Sequence, residues 1–185
     1  MSSDNPTGAD NQQETVRPRL ELDPRWLTGF VDGEGCFCVS VHRNPVYARR
    51  TGGWQLHPTF QVYQHRRHRA VLEEIAVTLG CGRIRPKGPN SSVLTYAVDS
   101  LAQLEGFVLP FFECHPLVVK AHDFSVFSDI VRAMRRKEHL HPEGFERLVR
   151  LAYAMNADGK QRARDIDSVL AWILRDCTPG SPATV

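Results

Sequence analysis

The segment from residue 27 to residue 35 constrains this chain most, because it combines helix signals with two glycines four residues apart and two acids. It reads Leu-Thr-Gly-Phe-Val-Asp-Gly-Glu-Gly, and the preceding Asp23-Pro24 pair is a typical helix start. Gly29 and Gly33 fall on one face of that helix, where each costs roughly 1 kcal/mol relative to alanine. This cost indicates that another backbone approaches the helix closely on that face.

The two acids of the segment lie at the unfavourable end of the predicted helix. Asp32 and Glu34 fall in the last turn, where the helix dipole disfavours negative charge. If the helix packs against its own copy, two Glu34 carboxylates approach across a twofold axis, and a cation would relieve their repulsion. The alternative is a capped amphipathic helix, in which Gly33 and Gly35 form the C-cap and both acids are solvated.

Composition predicts a globular protein with one core. The chain has 185 residues, of which 42% are hydrophobic. No apolar run approaches the roughly 20 residues of a membrane span, and the N-terminus lacks a signal-like pattern. We therefore expect an intracellular protein, cytoplasmic or organellar, that is neither secreted nor membrane-bound. Five cysteines without a C-x-x-C spacing favour reduced, mostly buried thiols over a disulfide framework or a zinc site.

Positive charge is concentrated in one part of the chain. Between His42 and Lys87, nine lysines and arginines face only Glu73 and Glu74, a local excess of seven positive charges, whereas the whole chain carries +2. Such a patch is typical of a protein with a phosphate-bearing partner. The alternative is a solvated face whose charge is balanced by acids from elsewhere in the fold.

Hydrophobic periodicity predicts the order helix, strand, strand, helix, strand, strand, followed by helices. The predicted strands are 36–42, 54–64, 82–87 and 93–98, and the second helix is 69–79, ended by Gly80. Later helical patterns run over 101–112, 117–134, 142–155 and 166–173. We expect a disordered polar tail over 1–20, a core over 21–137, a helical extension over 138–177 and a loose tail over 178–185.

Alternation within the strands places polar and basic side chains on one face of the sheet. Arg83, Arg85 and Lys87 share a face by period two. β-Structure fits the major groove of DNA, where base edges present a distinct pattern of donors and acceptors. The predicted DNA-binding residues are Ser40, His42, Thr59, Gln61, Tyr63, Arg66, Arg67, Arg69, Arg83, Arg85, Lys87 and Thr95.

The segment over 27–35, followed by Cys36-Phe37, resembles the LAGLIDADG motif of homing endonucleases at nearly every position. The resemblance extends over about 22–131. It implies an α+β fold with an αββαββα core, whose twisted four-stranded antiparallel sheet binds double-stranded DNA, with helices on one face and a C-terminal helical extension. Members with a single motif are homodimers joined through the motif helices, which implies a dimer contact by Leu27, Gly29, Phe30 and Gly33.

The resemblance also implies a metal-dependent endonuclease that cuts both strands of a long, near-palindromic site. Glu34 and the main-chain carbonyl of Gly33 are expected to hold Mg²⁺, with Mn²⁺ as a substitute and Ca²⁺ bound without cleavage. The family usually carries aspartate at the position of Glu34. Divalent cations activate water and stabilise the charged oxygens in phosphodiester hydrolysis. Asp32 matches the earlier acid of the motif and is assigned a structural or capping role.

Three further side chains match catalytic positions of the family. Gln64 closes the second strand, His68 stands where an arginine is usual, and Lys120 begins the late helix. His68 is flanked by Arg67 and Arg69, and which of the three faces the scissile phosphate is open. The alternative for Lys120 is an exposed helical lysine.

Two other functions compete with cleavage on the same scaffold. An intron RNA maturase would bind host intron RNA without cutting DNA. A DNA-binding regulator would have lost catalysis, but the intact Glu34 argues against it.

Overall fold

The computed structural model describes residues 22–155 and 165–176, and in these ranges four strands form one antiparallel sheet. They are β1 (Gly35–Arg43), β2 (Trp54–His65), β3 (Arg83–Pro86) and β4 (Val93–Val98), in the order β1-β2-β4-β3. Each strand ends within one residue of its predicted limit. β1 and β2 pair along their length, with Gly35 opposite Val62 and Arg43 opposite Trp54.

The helices follow the predicted order, and their ends have local causes. They are α1 (Pro24–Glu34), α2 (Ala48–Thr51), α3 (Arg69–Leu79), α4 (Leu101–Gln103), α5 (Leu109–Cys114), α6 (Ala121–Arg135), α7 (Pro142–Ala154) and α8 (Ile166–Asp176). The Asp23 carboxylate caps α1 by accepting a 2.7 Å hydrogen bond from the Arg25 amide. Gly80, at φ +67°, ends α3 in the left-handed conformation that favours glycine. A π-helical turn over Leu104–Val108 joins α4 to α5.

Two segments differ from the sequence prediction. The connection between β1 and β2 contains a 3₁₀ turn (Pro45–Tyr47) and α2, because the Asn44 side chain caps the turn by accepting a 3.1 Å hydrogen bond from the Val46 amide. α6 begins at Ala121 rather than at 117. The four residues before it form a turn that is hydrogen-bonded to Asp32 of α1.

The hydrophobic core lies between the sheet and the helices. Phe37 of β1 packs against Phe60 of β2, with ring centroids 4.9 Å apart, and against Phe112 and Phe127 of the helical layer at 5.5 and 5.4 Å. Phe145 of α7 belongs to the same buried cluster. The helices after residue 138 therefore extend the core of the preceding residues.

The last described helix is tied to the β1–β2 connection. Trp172 of α8 lies directly over Gly52, where an added Cβ would be 2.5 Å from the Trp172 Cγ atom. Gly52 has φ +57°, so both the backbone conformation and the indole require glycine there. The predicted tails over 1–20 and 178–185 lie outside the described residues.

The cysteines correct one expectation. Cys36, Cys38 and Cys81 are half-buried and Cys114 is exposed, so the prediction of mostly buried thiols is wrong for the four that are described. All four are free thiols.

None of the helices in the described ranges is long and apolar enough to cross a lipid bilayer.

Candidate active site and DNA-binding surface

α1 divides into a buried face and an exposed stripe. Leu27, Thr28 and Val31 are buried against the core. The opposite face carries Trp26, Gly29, Phe30 and Gly33, which we call the glycine stripe; the Trp26 and Phe30 rings stack with centroids 4.9 Å apart. Trp26 is 44% exposed, and its place on this stripe was missed by the sequence analysis, although its spacing from Gly29, Phe30 and Gly33 fits one helix face.

The structure corrects one residue of the predicted dimer contact. Leu27 is 0% exposed, because it points into the protomer's own core and not toward the stripe. Gly29 and Gly33 do lie on the exposed face, and an added Cβ at either position would meet nothing within 4 Å among the described residues. That part of the protomer therefore gives no steric reason for glycine at these two positions.

Glu34 is the last residue of α1 and projects from the junction between that helix and the sheet. Gly35 follows at once as the first residue of β1, and a Cβ there would lie 2.6 Å from Cγ1 and 2.8 Å from the carbonyl oxygen of Val31. Because glycine has no Cβ, the backbone can lie this close to Val31, and the chain passes directly from helix to strand. The Glu34 carboxylate is exposed and has no hydrogen bond or ion pair within the part of the chain that the structure describes.

Asp32 binds the turn that leads into α6. Its two carboxylate oxygens accept hydrogen bonds from the amides of Val118 (2.8 Å) and Lys120 (3.0 Å). Burial would raise the pKa of Asp32, but these backbone hydrogen bonds outweigh it and hold the pKa below its usual value. The acid is therefore a cap for a distant turn, which agrees with the structural role expected for it.

Lys120 is brought to the end of α1 by the same turn. Its Nζ atom donates a hydrogen bond to the main-chain oxygen of Asp32, so the ammonium group lies two residues along the chain from Glu34. Lys120 immediately precedes α6 and is half-buried. Lys120 is therefore not the exposed helical lysine of the alternative interpretation.

Gln64 and His68 lie at the same end of the sheet as Glu34. Val62 is opposite Gly35, which places Gln64 two residues past the helix–strand junction. His68 is exposed on the 3₁₀ turn Arg66–His68 that follows β2. No hydrogen bond joins Gln64 or His68 to Glu34 in the described ranges, whereas the neighbouring Arg69 is paired with Glu73 at 2.6 Å.

Two thiols, which the sequence analysis had not assigned to the site, lie on β1 next to the motif. The neighbouring Cys38 thiol lowers the pKa of the Cys36 thiol; burial opposes this shift and the Lys120 charge assists it. The pKa of Cys38, whose Sγ atom donates to the Thr59 carbonyl oxygen at 3.5 Å, is raised by the same coupling and by burial. The period of two places both thiols on the sheet face that the helices leave uncovered, which we call the open face.

The open face carries most of the predicted DNA-binding residues in accessible positions. These are Ser40, His42, Gln61, Tyr63, Arg83, Arg85 and Lys87. The Lys87 Nζ atom lies 4.7 Å from the centre of the Tyr63 ring, which lets a cation and an aromatic face share one surface.

Two predicted contacts on this face are wrong as direct contacts. Thr59 and Thr95 are only 4% exposed. They are short side chains on the two central strands, and Thr95 lies between Tyr63 on β2 and Arg85 on β3. Their longer neighbours therefore form the accessible surface.

An acid that the sequence analysis did not consider lies at the edge of the open face. Both carboxylate oxygens of Asp99 accept hydrogen bonds from the Arg83 guanidinium, one of them at 2.8 Å. Its period-two spacing from Thr95 could have placed Asp99 on this face. His57, also missed, lies nearby; burial lowers its pKa and outweighs the opposing effect of the Asp99 charge. The charge of the open face is therefore less positive than the count of charged residues between His42 and Lys87 indicated.

These observations define an α+β protein whose acidic, glycine-bearing helix ends beside a sheet with a polar and basic open face. A family model described as LAGLIDADG endonuclease matches residues 27–131. The chain belongs to the LAGLIDADG endonuclease family.

Solved structures and a curated relative agree with this membership. The crystal structure of the homing endonuclease I-TnaI is 35% identical, covers 83% of this chain and 99% of that one, and superposes with a TM-score of 0.72. The archaeal intron-encoded homing endonuclease I-Vdi141I, complexed with DNA, is 32% identical with a TM-score of 0.74, covering 82% of this chain and 94% of that one.

The Probable intron-encoded endonuclease 3 of Neurospora crassa is 31% identical over 144 residues, 77% of this chain. That alignment spans 26% of the fungal protein, so this chain matches about a quarter of that relative's length.

Proposed function

We propose that this protein is a site-specific double-strand DNA endonuclease that acts as a homodimer with Mg²⁺. The observation that carries the proposal is the exposed Glu34 carboxylate at the end of α1, which has no partner among the described residues, with the Lys120 ammonium held against the same turn of helix. The similar I-Vdi141I is an intron-encoded homing endonuclease that was solved with DNA.

The glycine stripe supports the homodimer. Gly29 and Gly33 lie on an exposed helix face, and no contact with residues 22–155 or 165–176 of the same protomer accounts for them. Packing of two motif helices through this stripe would bring their backbones close together and bury the exposed Trp26 ring that stacks on the half-buried Phe30. The same contact would bring the two Glu34 residues to one centre.

The residues present fit a hard divalent cation shared between two subunits. No cluster of three or more His, Cys, Asp or Glu side chains that could hold a metal occurs among the described residues of one chain. Mg²⁺ needs few protein ligands, because it keeps several waters and is bound through one or two carboxylates. Glu34 and the Gly33 carbonyl, an oxygen at a helix end without a helical partner, would hold it.

When bound, the cation would supply Lewis acidity toward the phosphate oxygens. The chain's own side chains would orient the scissile bond and the attacking water. Lys120 would place positive charge beside the phosphate, and its position is fixed by Asp32. Gln64 would order water with an amide that can both donate and accept. The open face would hold the duplex through Gln61, Arg85 and Lys87.

Cleavage of a selected duplex tests the proposal. The full chain would be used to select binding sites from a pool of randomised duplexes, and the selected duplex would be incubated with Mg²⁺, Mn²⁺, Ca²⁺ or EDTA. We expect cutting of both strands with Mg²⁺ and Mn²⁺, and none with Ca²⁺ or EDTA. Glu34→Gln should bind the duplex and fail to cut it.

A matched control is Glu143→Gln, which removes one exposed carboxylate from the start of α7, away from the site. This variant should cut at the wild-type rate. Cutting by Glu34→Gln at a comparable rate, or a wild-type chain that selects no duplex, would contradict the proposed function.

A further inference from the structure

Asp99 and Arg83 form an ion pair in which one partner is covered and the other is accessible. Asp99 directly follows β4, and Arg83 is the first residue of the edge strand β3. The Asp99 side chain is 19% exposed, whereas that of Arg83 is 53% exposed. The carboxylate therefore acts as a fixed support beneath a guanidinium that still faces outward.

The hydrogen bonds leave part of the guanidinium available. The two Asp99 oxygens accept from Nη1 and Nη2 of Arg83, which uses two of the five N–H groups of an arginine. The Nε–H and the second N–H of Nη2 are not used by Asp99, and these two N–H bonds are parallel to each other along one edge of the guanidinium. Two parallel donors of this kind match the O6 and N7 acceptors of guanine in the major groove.

The ion pair also changes the kind of partner that suits Arg83. Its charge is balanced by Asp99, so it attracts a phosphate less than an unpaired arginine does, while its hydrogen-bonding geometry is fixed. Arg85 on the same strand has no ion-pair partner in the described ranges. His57 does not replace Arg83 as the ion-pair partner of Asp99, because burial favours the neutral form of the imidazole.

We propose that Asp99 is a specificity-determining positioning residue, which holds Arg83 so that it recognises a guanine edge rather than a phosphate. The inference rests on the proposed binding of DNA by the open face. It assigns one base-reading position in each half-site to a residue pair at the edge strand. The competing interpretation is that the ion pair only fastens β3 to the sheet.

The test compares Asp99→Asn with the wild-type chain on one set of duplexes. Sites are first selected by the wild-type chain from a randomised pool in EDTA, so that binding is measured without cleavage. Every base pair of the selected site is then changed in turn, and the dissociation constants are measured. Glu146→Gln is the matched control, since it removes a carboxylate from the Arg150 ion pair on α7, outside the sheet.

We expect the wild-type chain to prefer guanine at one position per half-site by about tenfold or more. Asp99→Asn should reduce this preference to less than about threefold at that position only, and Arg83→Ala should remove it at the same position. Because Asp99→Asn leaves an unbalanced arginine on the DNA-binding surface, the slope of log K against log salt should steepen by about one for each subunit. Glu146→Gln should change neither quantity.

Two results would overturn the inference. One is an unchanged preference at every position in Asp99→Asn. The other is a uniform loss of affinity together with a lower melting temperature, which would show that the pair only fastens the edge strand. Failure of the DNA binding on which the inference rests is distinguishable, because in that case the wild-type chain itself selects no duplex. Failure of cleavage alone leaves this binding test, which is run in EDTA, unaffected.

Discussion

The Asp32 carboxylate accepts a 3.0 Å hydrogen bond from the amide of Lys120, and the Lys120 ammonium donates back to the main-chain oxygen of Asp32. Residues 88 positions apart in the sequence are thereby fixed as a reciprocal pair. The pair accounts for the presence of an acid at the end of α1, where the helix dipole disfavours it. The hydrogen bonds that the carboxylate accepts from the two amides offset that cost.

Asp32→Ala should destabilise the protein near neutral pH. The substitution removes two hydrogen bonds to a carboxylate; because water can replace the acceptor of the exposed Val118 amide, the expected loss is about 1–2 kcal/mol in the free energy of unfolding. The folded-state pKa of Asp32 is depressed, so its stabilisation is fully present above the unfolded-state pKa of about 4 and is lost progressively as the pH falls from that value through the folded-state pKa. Denaturant unfolding at pH 7 and pH 3 should therefore show a difference between wild type and variant that shrinks at pH 3; an equal difference at both values would contradict this account.

Lys120→Met should lower the rate of DNA cleavage by about a hundredfold or more while leaving binding nearly unchanged, because it removes a positive charge that is positioned beside the proposed site. Single-turnover cleavage at saturating enzyme separates this loss from any loss of affinity. Lys137→Asn is the control: it removes the same charge, and asparagine tolerates the φ of +65° found there. Similar rate losses in both variants would point to a general charge effect.

Gly29→Ala and Gly33→Ala should stabilise the protomer and weaken its self-association. Each alanine removes the backbone cost of a helical glycine, roughly 1 kcal/mol, and its Cβ meets nothing within 4 Å in the part of the protomer that the structure describes. The same Cβ would obstruct close packing of two motif helices. Sedimentation equilibrium gives the dimer dissociation constant, and denaturant unfolding at low protein concentration gives protomer stability.

Gly35→Ala provides the contrast for that experiment, since its Cβ would lie 2.6 Å from the Val31 side chain and should lower protomer stability. Dimer affinity that is unchanged in both Gly29→Ala and Gly33→Ala would exclude the glycine stripe as the contact.

Thr95→Val and Arg85→Ala should differ sharply in DNA binding, although the two residues lie opposite each other on β4 and β3. Arg85 is exposed, and its loss should weaken binding and reduce the salt slope by about one phosphate contact per subunit. Thr95 is 4% exposed, so its hydroxyl should not contribute to recognition. A loss of affinity in Thr95→Val as large as that in Arg85→Ala, with an unchanged melting temperature, would mean that the open face rearranges on binding.

Local sequence patterns were sufficient for the elements of the core. Gly80 ended α3 at the predicted residue because a left-handed cap has a strong residue preference. Period-two alternation gave the faces of β1 and β2, since the side-chain period of a strand is independent of its neighbours. The β1–β2 connection was less predictable. The Asn44 cap is a local contact, but the Trp172 indole that lies over Gly52 comes from a distant part of the chain.

The candidate site was only partly predictable for the same reason. The acids and glycines of α1 were visible in the sequence, as was the basic character of the sheet. Burial of Thr59 and Thr95, the balancing of Arg83 by Asp99 and the exposure of Trp26 depend on which side chains become neighbours after folding. Periodicity assigns a side chain to a face, but it does not show what covers that face.

The sequence by itself determined the order of the elements, the family and the position of Glu34 at the end of a helix, because these depend on local conformational preferences and on a nine-residue motif. The tertiary structure decided which groups are available for chemistry. In the folded chain Leu27 is buried in the core, Asp32 is hydrogen-bonded to the turn that carries Lys120, and Glu34 is exposed. Contacts between residues far apart in the chain determine burial and hydrogen bonding, and those two quantities set the charge and reach of each side chain.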